Sequence, residues 1–168
     1  ISPQQYLLSA GGYYDQQVQS VYTEYQALLA RNHALDFDDL LSKTVELFHE
    51  SPSVLDRYQE RYLHLMVDEF QDTNLAQYKV ANDLAGKYKN ICVVGDPDQS
   101  IYAWRNADLR NILNFQRDYP NARVIQLSQN YRSSATILEA SRKIIAANQQ
   151  RLQQDLWTEN PAGQLVQL

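Results

Sequence analysis

Hydrophobic positions along the chain follow two different periods, and the change comes near residue 63. From Tyr13 to Arg31, the residues Tyr14, Val18, Val21, Tyr22, Tyr25, Leu28 and Leu29 recur at three- and four-residue steps. That spacing predicts an amphipathic helix whose tyrosines face a core. Asp36, Asp38 and Asp39 open a second predicted helix that runs to about Glu50, where negative charge caps free amides and complements the helix dipole. Ser51-Pro52 restarts a third, with Ser51 as N-cap and Pro52 at its first position, ending near Tyr62. Residues 1–12, with Pro3 and Gly11-Gly12, give no firm element. Beyond them the pattern becomes short apolar runs separated by helical stretches. Residues 63–67 form one such run, predicting a strand buried on both faces. Asp72-Thr73-Asn74 then caps a helix that carries Leu75, Tyr78, Ala81, Leu84, Ala85 and Tyr88. Ile91-Cys92-Val93-Val94 is a second buried strand. A helix with Leu109, Ile112 and Leu113 inward leads to a turn at Tyr119-Pro120-Asn121 and a third strand over residues 123–127. A last helix sets Ile137, Leu138, Ser141, Ile144, Ile145 and Asn148 on one face, and a loop follows before a possible strand at Leu165.

This order predicts an α/β fold: a parallel sheet with flanking helices, preceded by a helical segment that packs against it as an appendage. Composition narrows the function. In 168 residues the net charge is −5, which argues against holding nucleic acid mainly by a basic surface. Single-strand binding by aromatic stacking stays open. The single Cys92 lies in an apolar run and reads as a buried structural thiol in a reducing cytoplasm. His33, His49 and His64 are scattered, without zinc-ligand spacing. No run is long and apolar enough for a membrane span, and no secretory leader is visible. The chain starts at Ile1 rather than Met and stops in Leu165-Val166-Gln167-Leu168, so a piece of a longer protein is expected.

The chemistry gathers at the ends of the three predicted strands, where ligands sit in open α/β sheets. The first end delivers Asp68, Glu69, Gln71 and Asp72. Adjacent acids there suit Mg²⁺, which takes carboxylates plus waters and substrate phosphates, as in the Walker B arrangement of nucleotide-hydrolysing motors. The second delivers Asp96 and Gln99, then Tyr102, Trp104 and Arg105. The third delivers Gln129, Asn130, Tyr131 and Arg132. Each has an ordinary alternative: Asp68-Glu69 as a strand cap, Gly95-Asp96-Pro97 as a tight turn, Trp104 and Tyr131 as core, Arg132 as a structural partner of Asp72. Their joint occurrence at successive strand ends is what those alternatives explain poorly.

Val67-Asp68-Glu69-Phe70-Gln71-Asp72-Thr73 resembles motif II of superfamily 1A DNA helicases. The stretch from Val94 to Arg105, with Gly95-Asp96-Pro97-Asp98-Gln99-Ser100 at its head, resembles their motif III, and Gln129-Asn130-Tyr131-Arg132-Ser133-Ser134 their motif IV. Leu35-Asp36-Phe37-Asp38-Asp39-Leu40-Leu41 and Trp157-Thr158-Glu159-Asn160-Pro161 are also similar to segments of that family. The likeness is to the UvrD/Rep/PcrA branch, nearest its Gram-positive members, and covers almost all of the chain beyond Tyr13.

The resemblance implies part of a RecA-like P-loop NTPase domain, divided as residues 1–62 (end of a helical insertion and return to the first motor domain), 63–133 (second half of that domain) and 134–168 (hinge and start of the second motor domain). It implies an ATP-dependent 3′–5′ DNA helicase and translocase, bacterial and cytoplasmic, using ATP and Mg²⁺ on single-stranded DNA and DNA junctions in repair or replication. Asp68 would organise Mg²⁺ together with Glu69, and Glu69 would orient the attacking water. Gln99 and Arg132 would reach the γ-phosphate, Tyr131 would stack on adenine, and Tyr102, Trp104 and Arg105 would meet DNA. One departure is Asn106, where the family carries Gly; Asn tolerates the left-handed conformation better than most residues.

A P-loop, G-x-x-x-x-G-K-[ST], is absent from these residues; Lys43-Thr44 follows Ser42 within a helical pattern. The resemblance also implies arginine motifs in a second motor domain, which these residues lack. The chain alone is therefore expected to be inactive, with the other helicase domains as its necessary partners. Two other readings compete: a metal-dependent nuclease or phosphatase using Asp68 and Asp96 as a two-ion clamp, and a non-catalytic interaction module with degenerate motor motifs.

Overall fold

The computed structural model describes residues 2–9, 12–148 and 155–165. These divide between Arg57 and Tyr58 into two compact units. The first holds α1 (Pro3–Ser9), α2 (Tyr13–Arg31), α3 (Phe37–Glu50) and the start of α4 (Pro52–Arg61). α1 is an element the sequence pattern did not predict. The acidic segment does cap α3: Asp36 accepts from the Asp39 amide at 2.7 Å, and the Asp39 carboxylate returns to the Asp36 amide. Lys43 and Thr44 lie inside α3, Lys43 paired with Glu46 and Thr44 donating to the Leu40 carbonyl, so neither belongs to a phosphate loop. The α2 stripe does not face a core within the described residues. α2 has no buried residue, and Tyr14 and Val21 are both largely exposed. Helical spacing fixes which residues share a face; it does not supply the surface that would cover them.

The second unit contains the rest of α4, then β1 (Leu65–Val67), α5 (Leu75–Ala85), β2 (Ile91–Val93), α6 (Arg110–Leu113), α7 (Phe115–Asp118) and α8 (Ala135–Ile145). The two strands pair in parallel, Leu65 opposite Ile91 and Val67 opposite Val93, with α5 as the crossover. Asn74 caps α5, accepting from the Gln77 amide while Gln77 bonds back to the Asn74 amide. The ladder continues past the strand ends: the Val94 amide donates to the Val67 carbonyl at 2.8 Å, and the Phe70 amide to the Val94 carbonyl at 2.9 Å. Phe70 is 1% exposed and meets the rings of Tyr78 and Phe115 at centroid distances of 5.9 and 5.6 Å. Phe115 in turn stacks on Tyr119 at 4.7 Å. This aromatic cluster fixes the turn that follows β1.

Four expectations need correction. The strands are not buried on both faces, because Met66 and Cys92 point outward and are exposed; a helix covers only the other side within the described residues. Cys92 is therefore an exposed thiol rather than a buried one. Residues 123–127 form no strand: they run without a ladder partner, and Val124, Ile125 and Leu127 are exposed. A strand is defined by its ladder, and among the described residues no strand pairs with this segment. Leu165 is likewise not in a strand, and residues 166–168 lie outside the described residues, as do 149–151 beyond the last helix.

Candidate functional site

The end of β1 and the end of β2 make one site. Asp68 accepts from the Glu69 amide at 2.9 Å, and Glu69 adopts the left-handed conformation with φ 51°. For a residue with a Cβ that conformation costs about 1–3 kcal/mol and persists only where surroundings enforce it. The group bonded to the Glu69 side chain is Gln71, which is 1% exposed. Its amide nitrogen donates to Glu69 Oε2 at 2.8 Å and to Asp72 Oδ2 at 3.1 Å, while its oxygen accepts from the Asp96 amide at 3.1 Å. Both amide hydrogens and the carbonyl are thus engaged, which is what burying a glutamine side chain requires. Gly95 makes this approach possible, since a Cβ there would sit 2.5 Å from Gln71 Oε1 and 3.1 Å from the Phe70 nitrogen.

Asp96 begins the turn Pro97–Gln99. Its Oδ1 accepts from the Asp98 amide at 3.0 Å and its Oδ2 from Gln99 Nε2 at 2.7 Å. Both carboxylate oxygens thus serve as a cap for this turn, which accounts for Asp96 without a metal. Among the described residues no three His, Cys, Asp or Glu side chains form a metal-holding group. Asp68 and Glu69, both exposed, suit a different arrangement. Asp68 Oδ2 and Glu69 Oε1 have no protein hydrogen-bond donor among the described residues, and Asp72 Oδ1 is buried without one. One or two carboxylates with free oxygens form the donor set of an Mg²⁺ that brings waters and substrate phosphates with it. The residues present fit a metal-bound nucleotide, not a permanently caged ion.

The segment after Gln99 is held to the same turn. Thr73 accepts through its carbonyl from the Asp108 amide at 3.0 Å and from Asn111 Nδ2 at 3.0 Å, with Thr73 and Asn111 both buried. Asn74 and Ala107 form an antiparallel bridge. Arg110 grips Asp108, and its guanidinium hydrogen bond holds that carboxyl below the usual value. On this frame Trp104 is 75% exposed, with the Arg105 guanidinium 5.1 Å from its ring centre and 5.9 Å from that of Tyr102. Trp104 is thus not core among the described residues; its indole stands out with an arginine cation over one face. Asn106 takes φ 63° and ψ 24°, so the departure from glycine leaves the left-handed turn intact.

Tyr131 and Arg132 are exposed, and among the described residues no hydrogen bond or ion pair joins them to Asp68 or Glu69. Tyr131 donates to Gln129 Oε1 at 2.7 Å, and the Arg132 amide to Asn130 Oδ1 at 3.1 Å. The guanidinium of Arg132 makes no ion pair among the described residues, so it is not a structural partner of Asp72. This loop is strapped instead by Asn160, which donates to the carbonyls of Tyr131 and Ser133, and by a bridge between Gln129 and Trp157. The buried Gln71 and the Thr73–Asn111 pair carry no hydrophobic signature and escape a periodicity reading. Gln71 and Thr73 are marked only by their place in the motif past the first apolar run, and Asn111 by nothing in the sequence.

Residues 1–120 match the family model of the UvrD/REP helicase N-terminal domain. The chain is 53% identical over 161 residues to the ATP-dependent DNA helicase PcrA of Bacillus subtilis, covering 96% of the chain and 22% of that protein. It is 49% identical to the protein of the same name from Leuconostoc citreum, over 99% of the chain and 22% of that protein. It is 52% identical to that of Staphylococcus aureus Mu50, over 94% and 22%. The chain thus spans about a fifth of the length of these relatives. Two strand ends joined through a buried glutamine, an exposed indole held on the same turn, and a family match over most of the residues agree: this chain belongs to the UvrD/REP helicase N-terminal domain family.

Proposed function

We propose that the complete protein carrying this segment is an ATP-dependent DNA helicase that translocates 3′ to 5′ on single-stranded DNA and opens duplex at junctions. The observation that carries this reading is the joining of Asp68 and Glu69, at the end of β1, to the Asp96–Gln99 turn at the end of β2. When bound, Mg²⁺–ATP would supply the phosphoryl group to be transferred and a charge that neutralises its oxygens. The chain's own groups would do the rest. Asp68 would present an oxygen to the metal. Glu69, with Oε1 open and Oε2 anchored, would orient the attacking water. Gln99 would sense the γ-phosphate, and Arg132 would stabilise charge developing on it once the extended segment before it finds its neighbours. Tyr131 would stack on the adenine. Tyr102 and Trp104, backed by Arg105, would hold unpaired bases, at about 1–3 kcal/mol per base stacked.

Among the described residues no helix is long and apolar enough to cross a membrane; a cytoplasmic setting, and work in repair or replication, fit this reading. The 168-residue chain, lacking a P-loop, would not hydrolyse ATP alone. The test is ATP hydrolysis by the complete protein with and without single-stranded DNA, together with displacement of duplexes bearing a 3′ or a 5′ tail. DNA-stimulated hydrolysis with opening of the 3′-tailed substrate is expected. Hydrolysis indifferent to DNA, or opening only from a 5′ tail, would contradict it.

A further inference from the structure

We propose that Gln71 is the positioning residue that ties the orientation of Glu69 to the state of the DNA-facing segment. The inference rests on the functional reading above, in which Glu69 orients water. Three features single Gln71 out. It is one of the two largest fully buried side chains among the described residues, with Phe70, and the only polar one of that pair. Its three hydrogen bonds run in two directions, to the carboxylates of Glu69 and Asp72 on one side and to the backbone of Asp96 on the other. Its own carbonyl lies 3.4 Å from the Ser100 hydroxyl, which donates to it. Asp96 then holds Gln99, two residues before Ile101 and the exposed aromatics. A rigid, fully bonded amide placed this way transmits displacement: when the 95–100 segment moves, the Asp96 amide pulls the Gln71 side chain, and the Glu69 carboxylate moves with it. The missing Cβ of Gly95 is what lets that amide close on Gln71. An apolar side chain of the same length would fill the space and transmit nothing.

Two substitutions in the complete protein separate the two ends of this link. Gln71→Met keeps length and bulk but makes none of the hydrogen bonds. Gln71→Glu keeps an acceptor for the Asp96 amide but loses the donor to Glu69. The readouts are stimulation of ATP hydrolysis by oligothymidylate, KM for ATP, and hydrogen exchange of the 94–99 peptide without nucleotide. For Gln71→Met, stimulation should fall at least ~10-fold with KM changed less than ~3-fold, and the peptide should exchange faster. For Gln71→Glu, stimulation should fall likewise while the peptide keeps its protection. Stimulation within ~2-fold of the unmodified protein in Gln71→Met, or unchanged exchange at 94–99, would overturn the proposal. If neither variant folds, the unmodified protein decides: a non-hydrolysable ATP analogue should alter exchange at 94–99 together with 68–72, and a change confined to 68–72 would overturn it. An unmodified protein without any DNA stimulation would defeat the functional reading, and this inference with it.

Discussion

Three stretches of the second unit share one sequence grammar, and the third has a different fate from the first two. Residues 63–72 and 91–99 each run from apolar residues into a polar motif, and so do residues 123–132. The first two pair with each other, and their motifs are stitched by Gln71, Gly95 and Asp96. The third has no ladder partner among the described residues, leaves Ile125 and Leu127 exposed, and is bonded at its far end by Trp157 and Asn160. The difference lies in the neighbours rather than in the sequence of the segment. A strand's backbone groups must bond to something, and an apolar face must be covered by something. β1 and β2 are each other's answer; residues 123–127 join no ladder among the described residues.

The comparison can be broken in several ways, beginning with the largest effect. If the third segment joins the other two in the complete protein, Arg132→Ala should cut DNA-stimulated ATP turnover by ~10³-fold, the scale of an arginine acting on a γ-phosphate, with DNA affinity little changed. A loss under ~10-fold would mean that the loop stays as unconnected as it is here. In the 168-residue chain by itself, backbone amides of β1 and β2 should exchange ~10²-fold more slowly than those of residues 123–127. Equal rates would erase the contrast. In the complete protein, Trp104→Ala should weaken single-strand binding by ~1–3 kcal/mol while ATP affinity holds, because the indole makes no bond to the carboxylates. The smallest effect concerns the bond from the Tyr78 hydroxyl to Asp118, which joins α5 to α7 on the well-built side. Burial, then Asp118, raises the Tyr78 pKa above 10.0, and the Tyr78 hydrogen bond lowers that of Asp118 below 3.8. The tyrosine's contribution to stability is therefore complete below pH 10.0 and lost as pH rises through its folded value. The carboxylate's is complete above its unfolded value and lost as pH falls through the folded one. Tyr78→Phe should flatten both limbs of a stability–pH curve by under ~1 kcal/mol, since Asp118 faces solvent.

Much of this architecture was readable beforehand, and the reasons are local. The Asp36 cap, the Pro52 start of α4 and the Asn74 cap depend on a few adjacent residues, and all are found where the pattern puts them. The pairing of the first two strands followed from an apolar run, a helix and another run. What could not be read depends on distant surfaces. The tyrosine face of α2, the outward Met66 and Cys92, and the exposed apolar residues of the 123–127 segment all turn on what covers them. Gln71 was visible as a member of a motif, but its burial follows from Gly95 and Asp96, which only folding brings to it.

The most direct test of a hydrolytic site at the end of β1 is single-turnover phosphate release by the complete protein carrying Glu69→Gln, on saturating single-stranded DNA. Loss of ~10²-fold or more in rate, with ATP and DNA still bound, is predicted for an acid that orients the attacking water. Release at the unmodified rate would place the chemistry elsewhere and contradict the account.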